Sequence, residues 1–205
     1  MVTREGIKIA AVEVLATALV FLVYKPLSIP LILAVAFTLF FFRDPERFIE
    51  RDVVSPADGK VDFVSGKRVE IFMSPFDCHV QRAPVSGIVR SVKFVPGKKL
   101  PAFIRGESEK SVIEIESEDG TFKVEQIAGA FARRIRCWVK EGERVEKGQK
   151  IGMIAFGSRV ALEVPEKYKI VRAVGEKVKA GETTQTTAQE GEIMDKLDIL
   201  LSSFP

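Results

Sequence analysis

A chain of 205 residues, 46% hydrophobic and 29% charged with a mean hydropathy of +0.12, suits one domain or one domain with an appendage. A net charge of +3 argues against a dedicated nucleic-acid binder, which needs many phosphate contacts. Cys78 and Cys137 lie far apart with no CxxC spacing, which points to a reducing compartment and away from a structural zinc site, and the single histidine, His79, excludes any mechanism needing two imidazoles.

In chain order, the apolar excess comes first. "IKIAAVEVLATALVFLVY" (7–24) and "LSIPLILAVAFTLFFF" (27–42) are separated by Lys25-Pro26. A straight spanning helix needs about 20 apolar residues, so both runs are marginal, and the first carries Lys8 and Glu13. A crossing hairpin and a shallow hairpin in one leaflet both fit. A pair of buried core helices is the competing reading, and it suits 27–42 poorly because that run has no charge and no polar face. A second apolar run follows at once, unlike a cleaved signal peptide. Arg4 and Lys8 precede the hairpin, and Arg43, Arg47 and Arg51 follow it, so both ends face the cytoplasm by the positive-inside tendency. The expectation is a membrane-associated helical hairpin over 1–42, holding a domain over 43–205 at the cytoplasmic face of the cell membrane.

From residue 52 the chain becomes short β-like segments broken by Gly, Pro and Asp-Gly: "GKVDFV", "RVEIFM", "GIVRSVKFV", "SVIEIES", "TFKVEQIAG", "IRCWV", "KIGMIAF", "RVALEVP" and "YKIVRAV". A longer helical pattern comes only at the C-terminal "EIMDKLDILLSSF". The fold class expected is mainly β, a compact barrel or sandwich. "EGERVEKGQ" (141–149) recurs as "VGEKVKAGE" (174–182), each predicting a short strand between two glycine turns. "APVSGIV" (83–89) resembles the strand-turn units of lipoyl and biotinyl carrier domains, which adds hammerhead-like, hybrid-barrel elements to the expectation. A swinging-arm carrier would need a lysine at a hairpin tip, but the tip here reads Phe156-Gly157-Ser158-Arg159.

Three stretches hold candidate chemistry: "VSPADGKVDFV" with Asp58, "MSPFDCHVQRAPVSG" with His79 between Asp77 and Arg82, and "AFGSRV" with Ser158. Taken singly, each reads more simply as structure: an Asp-Gly turn, a satisfied core histidine, a Gly-Ser hairpin. Ser, His and Asp can also make an acyl-transfer site in almost any chain order, which would describe a membrane-anchored serine hydrolase or peptidase. The nucleophile-elbow pattern G-x-S-x-G is missing.

"FFRDPER", "SPADGKV", "SPFDCHVQRAPVSG", "QIAGAFARRIRCWVKEGERVEKGQKIG" and "FGSRVALEVP", in this order, resemble the short branch of the phosphatidylserine decarboxylase family over roughly residues 40–190. That branch includes bacterial phosphatidylserine and archaeal archaetidylserine decarboxylases. The resemblance implies a proenzyme that cuts itself between Gly157 and Ser158, giving a β chain, 1–157, and an α chain, 158–205. Ser158 would attack the Gly157 carbonyl to form an ester, and elimination would leave a covalent pyruvoyl group in its place. Serine supplies both nucleophile and leaving group, and glycine tolerates the strained backbone that exposes the carbonyl. The pyruvoyl group is the implied cofactor, an electron sink for decarboxylation, with no metal. The implied partners are a membrane phospholipid with a serine headgroup, the bilayer, and the two chains of one precursor, with no nucleic acid. A homo-oligomer and a monomer both stay open, as do diacyl and archaeal ether lipids.

One departure stands out. The longer branch has two histidines three positions apart, where this chain has His79 and Arg82. His79 matches the histidine associated with decarboxylation, and Asp58 matches the family's acidic residue in self-cleavage. For Arg82, holding the substrate carboxylate or phosphate and a surface salt bridge are both open.

Overall fold

The structure is a computed structural model that describes residues 1–97, 108–129, 135–155 and 158–187. The C-terminal helical pattern and Gly157 lie outside the described residues.

Two helices, α1 (Arg4–Val23) and α2 (Lys25–Phe41), form a hairpin that turns at Tyr24. Thr3 caps α1 by accepting from the Gly6 N–H at 3.2 Å, and Pro26 sits in the first turn of α2, where no intrahelical N–H is needed. The feet are stitched together: the Thr3 N–H donates to the Phe42 carbonyl at 2.9 Å, and Val2 bridges Arg43. Gly6 allows this closeness, since a Cβ there would lie 2.3 Å from the Phe42 Cβ. Above the feet the hairpin covers little of itself, with Leu22 81% and Val23 88% exposed. These helices are therefore not core helices. One of them, Arg4–Val23, is long and apolar enough to cross a membrane.

The remainder is mainly β. Its strands are β1 (Val53–Val54), β2 (Gly59–Ser65), β3 (Arg68–Met73), β4 (Val80–Arg82), β5 (Gly87–Val95), β6 (Lys110–Ser117) and β7 (Gly120–Ala128), then β8 (Ile135–Cys137), β9 (Arg144–Val145), β10 (Lys150–Ile154), β11 (Ser158–Glu163), β12 (Tyr168–Ile170), β13 (Lys177–Val178) and β14 (Thr183–Thr187). An antiparallel sheet runs in the order β13-β2-β3-β11-β7-β6-β5-β9, and two smaller sheets run β4-β10-β8 and β1-β14-β12. Among the described residues the large sheet is not closed: β13 and β9 form its two edges, so the domain is compact but not a closed barrel. Alternation along β11 explains its central place. Val160 and Leu162 enter the main core with Ile71, Ile113, Phe122 and Val124. On the opposite face, Arg159 pairs with Glu70, while Arg68 holds Glu70, Glu125 and Glu163 at 2.8, 3.0 and 2.6 Å.

The sequence echo is a structural repeat. Each copy joins a Pro-x-x-Gly stretch (55–61 or 83–89) to a glycine-bounded pair of turns (175–182 or 142–149). Gly142, Gly148, Gly175 and Gly181 all have φ between +82° and +102°, which glycine adopts at little cost. Between each pair of glycines lies a two-residue strand, β9 beside β5 or β13 beside β2. The backbone bonds correspond one for one. Gly175 donates to Val61 and Gly142 to Val89, both at 2.8 Å; Gly181 donates to Ser55 at 3.1 Å and Gly148 to Ala83 at 2.9 Å. Gly59 and Gly87 both lie against a neighbouring strand, since a Cβ would sit 2.2 Å from the Phe72 carbonyl oxygen or 2.3 Å from that of Glu116. The two copies close opposite ends of the large sheet.

Candidate active site

Strand order and register bring four chain points to one end of the large sheet. Asp58 immediately precedes β2, Met73 closes β3, Ser158 opens β11 and Ala128 closes β7, with Ser158 paired to both Met73 and Ala128. Ser158 is fully buried, and its hydroxyl donates to the Met73 sulfur at 3.3 Å. A thioether is a weak acceptor, so the hydroxyl is held without a base.

His79 follows the loop that leaves Met73 and is also fully buried. Its Nδ1 lies 2.9 Å from the Asp77 carbonyl oxygen. A carbonyl only accepts, so Nδ1 carries the hydrogen and Nε2 presents a lone pair. Nε2 is buried with no hydrogen-bond partner among the described residues. Burial pulls the imidazole down to about 4, against the Asp77 carbonyl and carboxylate, which favour the charged form. The ring lies 4.2 Å from the Phe41 ring. Phe41 also belongs to a small core with Phe42, Met153 and Ala155, the last described residue before Ser158. His79 and Ala155 thus share one apolar wall.

Asp58 is buried two strands from Ser158, about 10 Å at ordinary strand spacing. Its Oδ1 accepts from the Ala180 N–H at 2.9 Å, and its Oδ2 pairs with Arg47. Desolvation nevertheless raises its pKa, outweighing the Ala180 N–H and Arg47.

Arg82 is buried, with one nitrogen donating to the Gly148 carbonyl at 2.9 Å and another to Asp44 and the Pro45 carbonyl, both at 3.1 Å. It clamps the linker after α2 to a turn of the far repeat. A surface location is therefore corrected: the salt bridge to Asp44 is buried, since sequence alone does not show a partner 38 positions away.

Several contributors carry no signal in the sequence. Gln81 and Gln126 are fully buried and joined at 2.9 Å, and Gln81 also donates to the His79 carbonyl at 2.7 Å and contacts the Met73 sulfur at 3.8 Å. Gly152 leaves the space that the Gln126 amide fills, for a Cβ there would be 2.3 Å from its nitrogen. No group of three or more His, Cys, Asp or Glu suited to a metal occurs among the described residues.

The phosphatidylserine decarboxylase family profile matches residues 34–186. A protein of Archaeoglobus fulgidus, provisionally named an archaetidylserine decarboxylase proenzyme, is 56% identical over 184 residues, covering 89% of this chain and 94% of its own. A phosphatidylserine decarboxylase proenzyme of Streptomyces coelicolor is 46% identical over 167 residues, covering 78% and 77% respectively. One from Syntrophus aciditrophicus is 41% identical over 202 residues, covering 89% and 95%.

Proposed function

Because the chain belongs to the phosphatidylserine decarboxylase family, we propose that it cuts itself between Gly157 and Ser158 and then removes CO2 from the serine headgroup of a membrane phospholipid. The placement of Ser158 carries this reading: a fully buried hydroxyl, resting on sulfur, opens a central strand directly after the proposed scissile bond. A hydrolase would need that serine open to substrate and hydrogen-bonded to a base.

Strands grip both sides of the bond. β10 is held by β4 and β8, and β11 by β3 and β7, so a cut between them leaves β11 zipped between its neighbours. The pieces 1–157 and 158–205 would stay together without a covalent link. In the cut, Ser158 Oγ bonds to the Gly157 carbonyl carbon as the amide C–N bond breaks, turning amide into ester. Loss of the Ser158 Cα proton then expels the Gly157 carboxylate. Water replaces the nitrogen of the dehydroalanine left behind, ammonia departs, and the new chain begins with a pyruvoyl group. That group would supply an electron sink when CO2 leaves, and the buried, unpartnered Nε2 of His79 belongs to the loop that follows Met73, the strand partner of Ser158.

Nε2 of His79, which presents a lone pair, is suited to take up a proton that the substrate ammonium releases and return it to the substrate Cα. Asp58 touches neither Ser158 nor His79 and acts as a positioning residue, through its charge and its hold on Arg47 and Ala180. Arg82 is best read as a strut, its guanidinium already engaged by Asp44, Pro45 and Gly148. The hairpin over 1–42 anchors the domain over 43–205 at the cytoplasmic side of the membrane, where such a substrate lies. Both diacyl and isoprenoid ether lipids meet these requirements, since the chemistry is confined to the headgroup.

Purified protein should release CO2 from vesicles containing phosphatidylserine or archaetidylserine, and Ser158→Ala should abolish this. Full activity of Ser158→Ala would overturn the proposal.

A further inference from the structure

The loop from Ser74 to His79 joins β3 to β4 and bears Phe76, whose side chain is turned out to 70% exposure. The loop's acid does not counter that exposure with a free charge. Asp77 folds back, accepting from the Ser74 N–H at 2.7 Å and its hydroxyl at 2.6 Å. Three contacts fasten the loop to the foot of α2. Arg43 lies 4.0 Å over the Phe40 ring and donates to the carbonyls of Phe40 and Phe76, at 2.9 and 2.5 Å. The Cys78 thiol donates to the Arg43 carbonyl at 3.3 Å, and His79 stacks on Phe41. Phe40 is itself 43% exposed. The uncovered apolar surface of the hairpin therefore reaches Phe40, and Arg43, lying over that ring, ties it to the backbone of Phe76. Aromatic rings beside a cation at the end of an apolar helix suit the layer between hydrocarbon and water.

We propose that Phe76 is a second membrane contact, entering the bilayer interface beside the foot of the hairpin and seating the His79 loop at the depth of the lipid headgroups. The occupant is a lipid surface, because the loop is tied to the foot of the hairpin's own uncovered face. This rests on the reading that the hairpin is embedded. It gives the loop a purpose that anchoring alone does not: the hairpin keeps the enzyme on the membrane, and Phe76 sets how far a headgroup must travel to reach Ser158.

The test uses the full-length protein reconstituted in vesicles containing brominated lipids, with tryptophan placed singly by Leu22→Trp and Phe76→Trp, and quenching read above that of the native Trp138. Quenching at both positions is expected. Phe76→Ser should raise the apparent KM for vesicle substrate roughly three- to tenfold, leaving kcat and self-cleavage unchanged. Quenching at residue 22 without quenching at residue 76 would overturn the second contact while leaving the anchor in place. A second copy covering Phe76 would give that same pattern together with a dimer mass. Quenching at neither position would overturn the embedded hairpin and this contact with it.

Discussion

The two copies of the internal repeat share a backbone and differ at one telling position. Aligned on their glycines, Asp58 of one copy corresponds to Ser86 of the other. Both side chains do the same structural work at 2.9 Å: Asp58 accepts from the Ala180 N–H, and Ser86 accepts from the Lys147 N–H. A hydroxyl therefore suffices for the turn. What Asp58 adds is a charge, placed where burial opposes ionisation and where Arg47 is needed to offset it. Ser86 lies at the end of the sheet away from Ser158, and Asp58 at the same end as it. A buried charge at only one of the two matching positions is what the proposed active site asks of the end that holds Ser158.

The largest expected effect separates the two activities at that end. His79→Gln should still cleave but release CO2 about 10²- to 10⁴-fold more slowly, as read by denaturing gel beside a CO2 assay. If the variant stays uncut, the lone histidine also serves the cleavage step. Next comes the exchange of one repeat's residue for the other's. Asp58→Ser should keep the fold but, by releasing Arg47, misplace the cleavage site and slow self-cleavage by roughly 10²-fold. Ser86→Ala, its counterpart, should cost about 1 kcal/mol of stability in denaturant titration and leave cleavage untouched. Equal cleavage defects in both would break the comparison.

A smaller effect is pH dependence. His79 is held neutral by burial, so between its ordinary pKa of 6.5 and about 4 the unfolded chain binds the extra proton. Stability then falls as pH drops through that window, by up to about 1.4 kcal/mol per pH unit, and levels off below it. Subtracting the profile of His79→Gln isolates this slope, which is expected only in the parent.

Much of this frame was legible in the sequence because its signals are local. Gly142, Gly148, Gly175 and Gly181 announce their turns through spacing, and the short apolar segments announce strands. Residues 27–42 announce a helix with no polar side to hide. The kinship of "SPADGKV" with "APVSGIV" is harder to see, since only Pro, Gly and Val align between them. It emerges from the hydrogen bonds each stretch makes to a turn far along the chain. The open sheet depends on which strands reach its edges, a long-range matter that strand periodicity does not encode. Arg82 resembles a ligand anchor until Asp44 and Gly148 are seen to surround it. The Gln81-Gln126 pair is equally silent, since two isolated glutamines look like surface residues.

The most direct measurement is the intact mass of the purified protein under denaturing conditions. Two chains are expected, 1–157 and 158–205, the smaller beginning with a pyruvoyl group and therefore lacking both the Ser158 amine and any Edman signal. An active protein of one uncut chain, or a small chain beginning with an unmodified Ser158, would contradict the origin of the cofactor in that residue.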